Sequence, residues 1–136
     1  MWDVADGECL STLKGHDDAV VCLRFDPQSM LVATGSLDST VKVWDVESGK
    51  EYLSLEKHTG AVVSLEFSSD GDKVVSGSFD GTAIVWDLRT GESIQHYRGH
   101  KGEISNALFN FGAEYVATSS LDKYYFLTVE PANFGT

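Results

Sequence analysis

At 136 residues, with 42% hydrophobic side chains and no compositionally biased segment, the chain is sized for one globular domain and gives no sign of disorder. Its 21 acidic residues outnumber 10 basic ones for a net charge of −11, and such a surface repels polyphosphate instead of releasing its counterions, which argues against nucleic acid and anionic membrane as partners. No apolar run approaches the roughly 20 residues that span a bilayer, and Met1 is followed by WDVADGE rather than by a charged start and an apolar stretch, so a cytoplasmic protein is expected.

Residues 1–7, MWDVADG, match Val43 to Gly49, so the sequence opens inside a repeat. Glu8 to Leu13 reads as a short strand, and Lys14-Gly15-His16 leads into a turn rich in acid. Ala19 to Phe25 is apolar on both faces, the pattern of a strand held between neighbouring sheets. Asp26-Pro27-Gln28-Ser29 is a turn, and its counterpart Ser68-Ser69-Asp70-Gly71 is clearer because glycine supplies positive φ. Met30 to Ser36 and Val41 to Val46 are two further strands, joined by the tight corner Leu37-Asp38-Ser39-Thr40. Gly49 closes the next hairpin and recurs as Gly7 and Gly91. No stretch long enough for a helix carries helical periodicity, so an all-β chain is predicted.

The order then repeats. TGSLDSTVKVWD (Thr34 to Asp45) returns as SGSFDGTAIVWD (Ser76 to Asp87) and, weakened, as TSSLDKYYFLTV (Thr118 to Val129). Asp38 and Asp80 are 42 residues apart, as are Asp80 and Asp122, and the columns His16/His58/His100 and Trp2/Trp44/Trp86 keep the same spacing. A strict period of this length is the signature of propeller blades built from four short antiparallel strands. The third copy departs: Thr128 stands in the Trp column, Val129 in the Asp of the WD pair and Ser119 in the column of Gly35 and Gly77, while His100, Ser120 and Asp122 remain. Residues 131–136 abandon the pattern.

Gly15-His16 with Asp38 and Trp44-Asp45, His58 with Asp80 and Trp86-Asp87, and Gly99-His100 with Asp122 resemble WD (WD40) repeats over nearly the whole chain. The resemblance implies a WD40 β-propeller segment over residues 1–130, with repeats at about 8–45, 50–87 and 92–129. Residues 1–7 would then end a preceding repeat. In that family each repeat supplies the outer strand of one blade and the inner strands of the next. The blades would run Ala19 to Leu55 and Ala61 to Tyr97, with three inner strands of a third from Glu103 to Val129 and Glu8 to Leu13 as an orphan outer strand. Three blades are too few for a ring, since propellers typically have about four to eight. The expectation is either part of a longer protein or half of a ring made as a homodimer.

The resemblance also implies a buried network in each repeat, in which the corner Asp accepts from His, His meets a Ser hydroxyl and Ser meets the Trp indole. The residues would be His16, Ser36, Asp38 and Trp44; His58, Ser78, Asp80 and Trp86; and His100, Ser120 and Asp122. Partners of the family dock on the face carrying the tight corners, which here implies Leu37, Phe79 and Leu121 with Ala19, Val21, Ala61, Val63, Glu103 and Ser105. The function implied is a non-catalytic scaffold or adaptor for protein or peptide partners. A narrower likeness lies in GECLSTLKGH, VCLRFDPQSMLVATGSLD and GHKGEISNALFN, which are similar to the ciliary dynein assembly factors with WD repeats. It implies dynein or intraflagellar transport components as partners, and a ciliary location.

Ser, His and Asp are also the ingredients of a hydrolase triad. No G-x-S-x-G elbow accompanies them, and a trio repeated at one offset in three places reads as structure. Cys9 and Cys22 have no CxxC spacing and read as small buried hydrophobes in neighbouring strands, consistent with a reducing compartment. His96 falls on an outer strand and reads as solvated. Asp70-Gly71-Asp72 lacks the remaining ligands of a calcium loop and reads as a hairpin turn. No metal and no cofactor are expected.

Overall fold

The computed structural model describes residues 1–127. Eleven strands lie among them: β1 (Val20–Phe25), β2 (Leu31–Ser36), β3 (Thr40–Asp45), β4 (Glu51–Glu56), β5 (Val62–Phe67), β6 (Lys73–Ser78), β7 (Ala83–Asp87), β8 (Ser93–Tyr97), β9 (Ile104–Phe109), β10 (Val116–Ser120) and β11 (Tyr125–Leu127). The described residues contain no helix. The sheets are β1-β2-β3-β4, β5-β6-β7-β8 and β9-β10-β11, antiparallel throughout. They form blades 1, 2 and 3. Expectations placed on Thr128, Val129 and the 131–136 tail lie outside the described residues.

Alternation decides which side chain meets which blade. In β3, Val41 and Val43 point toward blade 2 and are buried against Val62, Leu65, Phe67, Val74, Ile84 and Trp86. Val75, Ala83 and Val85 of blade 2 make the same kind of seam with Ile104, Ala107 and Val116 of blade 3. β5 packs on β1 and β2, and β9 packs on β5 and β6, so the blades stand side by side in an open arc. Close approach requires glycine at two points. A Cβ on Gly35 would lie 2.7 Å from Val62 Cγ1 and 3.1 Å from its carbonyl oxygen, and one on Gly77 would lie 2.8 Å from Ile104 Cγ2.

Three expectations are corrected. Glu8 to Leu13 is not a strand: its one ladder contact is the bridge Trp2↔Cys9. That bridge reproduces Trp44↔Glu51 one repeat on, and the Gly7 N–H bonds Asp3 as Gly49 bonds Asp45, so the hairpin end forms while no second neighbour extends it. For the same reason Cys9 is exposed; Cys22 is half-buried, with its thiol beside the Val62 carbonyl. His96 is half-buried, its Nε2 buried without a partner and its Nδ1 beside Arg98. The Asp70-Gly71-Asp72 segment is a turn: Gly71 has φ of 79°, and Asp70 Oδ1 accepts from the Ser68 hydroxyl and the Asp72 N–H.

Candidate functional site

Each blade carries one relay. His16 Nδ1 lies 2.8 Å from Asp38 Oδ2, His58 Nδ1 2.8 Å from Asp80 Oδ2, and His100 Nδ1 2.9 Å from Asp122 Oδ2. The hydroxyls that meet the other imidazole nitrogen are Thr34 at 2.7 Å, Ser76 at 2.7 Å and Thr118 at 2.8 Å. Trp44 and Trp86 donate their indole N–H to Thr34 and Ser76, each at 2.8 Å. Ser36, Ser78 and Ser120 are therefore not in the relay, contrary to expectation. Register supplies the reason: Trp44 stands opposite Val32, which makes Thr34 its diagonal neighbour on the same face, whereas Ser36 lies beyond Gly35↔Val41 at the mouth of the corner. There each serine accepts the corner Asp N–H and donates to a carbonyl of the preceding loop: Ser36 to Asp18, Ser78 to Gly60 and Ser120 to Glu103. Thr34, Ser76 and Thr118 recur at the 42-residue offset, as Ser36, Ser78 and Ser120 do, so the offset alone does not choose between the two columns.

The carboxylates are saturated. Asp38 accepts from His16 and the Asp17 N–H on one oxygen and from the N–H and hydroxyl of Thr40 on the other. Asp80 repeats this with His58, Thr59 and Thr82. Burial alone would raise both carboxyls; the Thr hydroxyl, the imidazole and the backbone N–H groups reverse that and hold both below the ordinary range. Tyr124 replaces the threonine in blade 3, and its backbone N–H donates to Asp122 Oδ1 where blades 1 and 2 also use a threonine hydroxyl. Against the opposing effect of burial, the Tyr124 N–H, His100 and the Lys101 N–H bring Asp122 down to about 2. Burial pushes the His58 imidazole below its usual value although Asp80 pulls the other way. A neutral His58 satisfies every partner: Nδ1–H donates to Asp80, Nε2 accepts from Ser76, and Ser76 accepts from Trp86.

A hydrolase needs its serine on the imidazole and open to substrate. Ser36 and Ser78 are fully buried and bonded elsewhere, and the hydroxyls that do meet the imidazoles are buried and occupied by indoles in blades 1 and 2. The geometry is that of a clamp. Among the described residues no group of three or more His, Cys, Asp and Glu side chains could hold a metal ion, and no helix is long and apolar enough to cross a membrane.

The nine residues expected on the corner face come together as three equivalent trios. The Leu37 N–H bonds the Ala19 carbonyl, Phe79 bonds Ala61 and Leu121 bonds Glu103, at 2.9, 2.9 and 3.0 Å. The third member of each trio sits on a bulge: Val21, Val63 and Ser105 are skipped by the ladders that pair Val20↔Ser36 with Cys22↔Gly35, Val62↔Ser78 with Ser64↔Gly77, and Ile104↔Ser120 with Asn106↔Ser119. Bulges of this kind re-aim side chains at the rim of a sheet. Leu37, Phe79 and Leu121 are 45%, 48% and 64% exposed, and Ala61 and Val63 are half-buried.

Comparison with known proteins agrees with this geometry. The family "WD domain, G-beta repeat" (WD40) matches residues 7–45, 49–87 and 91–126. A 43-residue stretch, 32% of the chain, is 46% identical to the guanine nucleotide-binding protein subunit beta of Saccharomyces cerevisiae and 44% identical to human angio-associated migratory cell protein, covering 10% of each. The same length is 44% identical to the periodic tryptophan protein 2 homolog of Schizosaccharomyces pombe, covering 5% of it. The solved structure of U3-55K superposes with a TM-score of 0.79 at 23% identity, over 85% of this chain and 37% of that one. This chain thus spans a minor part of each relative's length, sharing a repeat with the three proteins and a fold with U3-55K. It belongs to the WD40 repeat family.

Proposed function

We propose that the chain is a non-catalytic scaffold that captures a protein or peptide partner on the corner face. The observation that carries this reading is the threefold recurrence of one arrangement: an exposed apolar residue before each corner Asp, tied by a backbone bond to the loop ahead of the next bulge. Leu37, Phe79 and Leu121 would be the anchors, since partly exposed apolar side chains on a rigid rim are what a partner desolvates. The relays below hold the rim rigid. Within this reading we place the partner among dynein or intraflagellar transport components and the chain in the cytoplasm and cilium, supported by the likeness of GECLSTLKGH and GHKGEISNALFN to ciliary dynein assembly factors.

The test is affinity capture from ciliated and non-ciliated cell extracts with the wild-type chain and a Leu37→Asp/Phe79→Asp/Leu121→Asp variant, with captured proteins identified by mass spectrometry. Capture that is lost in the variant while its β-sheet circular dichroism is unchanged supports the scaffold. Equal capture by both removes the corner face from the reading. Dynein or transport subunits recovered only from ciliated cells support the narrower assignment, and their absence removes it.

A further inference from the structure

The corner face is not the same at every blade junction. His58-Thr59-Gly60-Ala61 leads into β5, whereas His100-Lys101-Gly102-Glu103 leads into β9, so a lysine and a glutamate stand where the earlier loop has a threonine and an alanine. The corner beside that loop changes too: blade 2 carries Phe79 and Gly81 where blade 1 carries Leu37 and Ser39. Between corner and loop lies a groove of about 240 Å³, lined by Phe79, Gly81, Lys101, Gly102 and Glu103. It sits inside the arc, and both of its walls come from adjoining blades of this chain.

Local structure keeps the groove open and rich in acceptors. No side chain enters at Gly81, which has φ of 84°: a Cβ there would lie 3.2 Å from the Gly102 carbonyl oxygen and 3.5 Å from that of His100. Both oxygens therefore border the groove beside Gly81. Ser36 donates to the Asp18 carbonyl and Ser78 to the Gly60 carbonyl, but Ser120 donates to Glu103, whose carbonyl also accepts from the Leu121 N–H. That bond has moved one residue along, away from Gly102. Among the described residues neither Lys101 nor Glu103 forms an ion pair, both are exposed, and Phe79 is 48% exposed beside them.

Acceptors in this arrangement select a cation. An anion would meet the Glu103 carboxylate and two carbonyl oxygens, and of the side chains that line the groove only Lys101 would favour it. An arginine head group meets the same oxygens with N–H donors in a planar fork, and its flat face stacks on an aromatic ring. We propose that the groove between blades 2 and 3 takes an arginine side chain of the docked partner, with Glu103 and the Gly102 carbonyl accepting from the guanidinium and Phe79 against its face. The junction of blades 1 and 2 has no equivalent, because Ala61 brings no carboxylate and Ser39 brings a side chain to the corner. The pocket rests on the corner-face reading and names one element of the partner's chemistry.

The probes are N-acetyl-arginine amide and its neutral isostere N-acetyl-citrulline amide, titrated into the isotope-labelled 136-residue chain and followed by amide chemical shifts. The arginine probe should shift the Gly81, Gly102 and Glu103 resonances saturably with a Kd on the order of 1 mM, and the citrulline probe should not saturate. Glu103→Gln should weaken arginine binding about tenfold. Gly81→Ser gives blade 2 the corner residue that blade 1 already holds at positive φ, and should weaken binding as much with no change in charge. Lys101→Ala should bind at least as tightly as the wild type, since a cation on the rim opposes the guanidinium. No saturable shift, equal affinity for the two probes, binding that both Glu103→Gln and Gly81→Ser keep, or weaker binding by Lys101→Ala overturns the proposal. The two readings fail separately in the capture experiment. The corner face fails when the Leu37→Asp/Phe79→Asp/Leu121→Asp variant still captures partners; the pocket alone fails when that variant loses them and Glu103→Gln and Gly81→Ser do not.

Discussion

One oxygen at Ser76 serves two partners, donating to His58 Nε2 and accepting from Trp86 Nε1. Ser76→Ala leaves a buried imidazole nitrogen and a buried indole N–H unsatisfied, which costs about 1–3 kcal/mol. We expect the urea midpoint to fall accordingly and the Trp86 indole N–H to lose protection from hydrogen exchange. Ser78→Ala should also lower the midpoint, because Ser78 bonds Asp80 N and Gly60 O, but should leave that indole N–H protected; equal deprotection would return Ser78 to the relay. The pH dependence follows from the same site. The folded His58 imidazole lies below its usual 6.5, so near that pH the unfolded chain takes up a proton that the folded one refuses. The stability it contributes is present above pH 6.5 and is lost as pH falls through that value toward the folded pKa. The carboxyls act lower: Asp122 is depressed from 3.8 to about 2, so its contribution is present above pH 3.8 and is lost as pH falls from there toward 2. Acidification also relaxes the repulsion within a chain of net charge −11. The His58 effect is therefore read as the stability difference between the chain and its His58→Gln variant, which should shrink as pH drops below 6.5; a difference that grows would refute a neutral imidazole.

Strand pairing decides how close two blades come, and Gly35 and Gly77 set the limit. Gly35→Ala drives a Cβ against Val62 side chain and backbone, and Gly77→Ala meets the side chain of Ile104 first, so both should destabilise, Gly35→Ala more, by about 1–3 kcal/mol each. Thermal melts of the two variants check the order; an unchanged melting temperature for Gly35→Ala would mean that the seam can open. The strands themselves were legible because they alternate and repeat: Met30 to Ser36 and Val41 to Val46 differ from β2 and β3 by a residue at their ends. Two things were not legible. Thr34 and Ser36 both recur, both carry hydroxyls and both point to one face, so spacing could not say which one reaches the imidazole; only the opposition of Trp44 to Val32 does. Glu8 to Leu13 has the pattern of a strand, but pattern supplies half of a ladder, and the other half is not beside it in the described residues. The corner trios were legible by alignment, while the bulges at Val21, Val63 and Ser105 that aim them were not.

For the molecule as a whole, Phe25 and Phe67 are the same residue in consecutive repeats, and the contrast between them isolates the seam of blades 1 and 2. Phe67 is 8% exposed and packs within that seam, so Phe67→Ala should cost about 3–5 kcal/mol. Phe25 is 51% exposed in the same chain, and Phe25→Ala removes little buried area, so it should cost much less. Thermal melts of the two variants check the order: Phe67→Ala should fall well below the wild-type melting temperature and Phe25→Ala should stay near it. Equal losses for the two would mean that burial between neighbouring blades is not what holds the arc together.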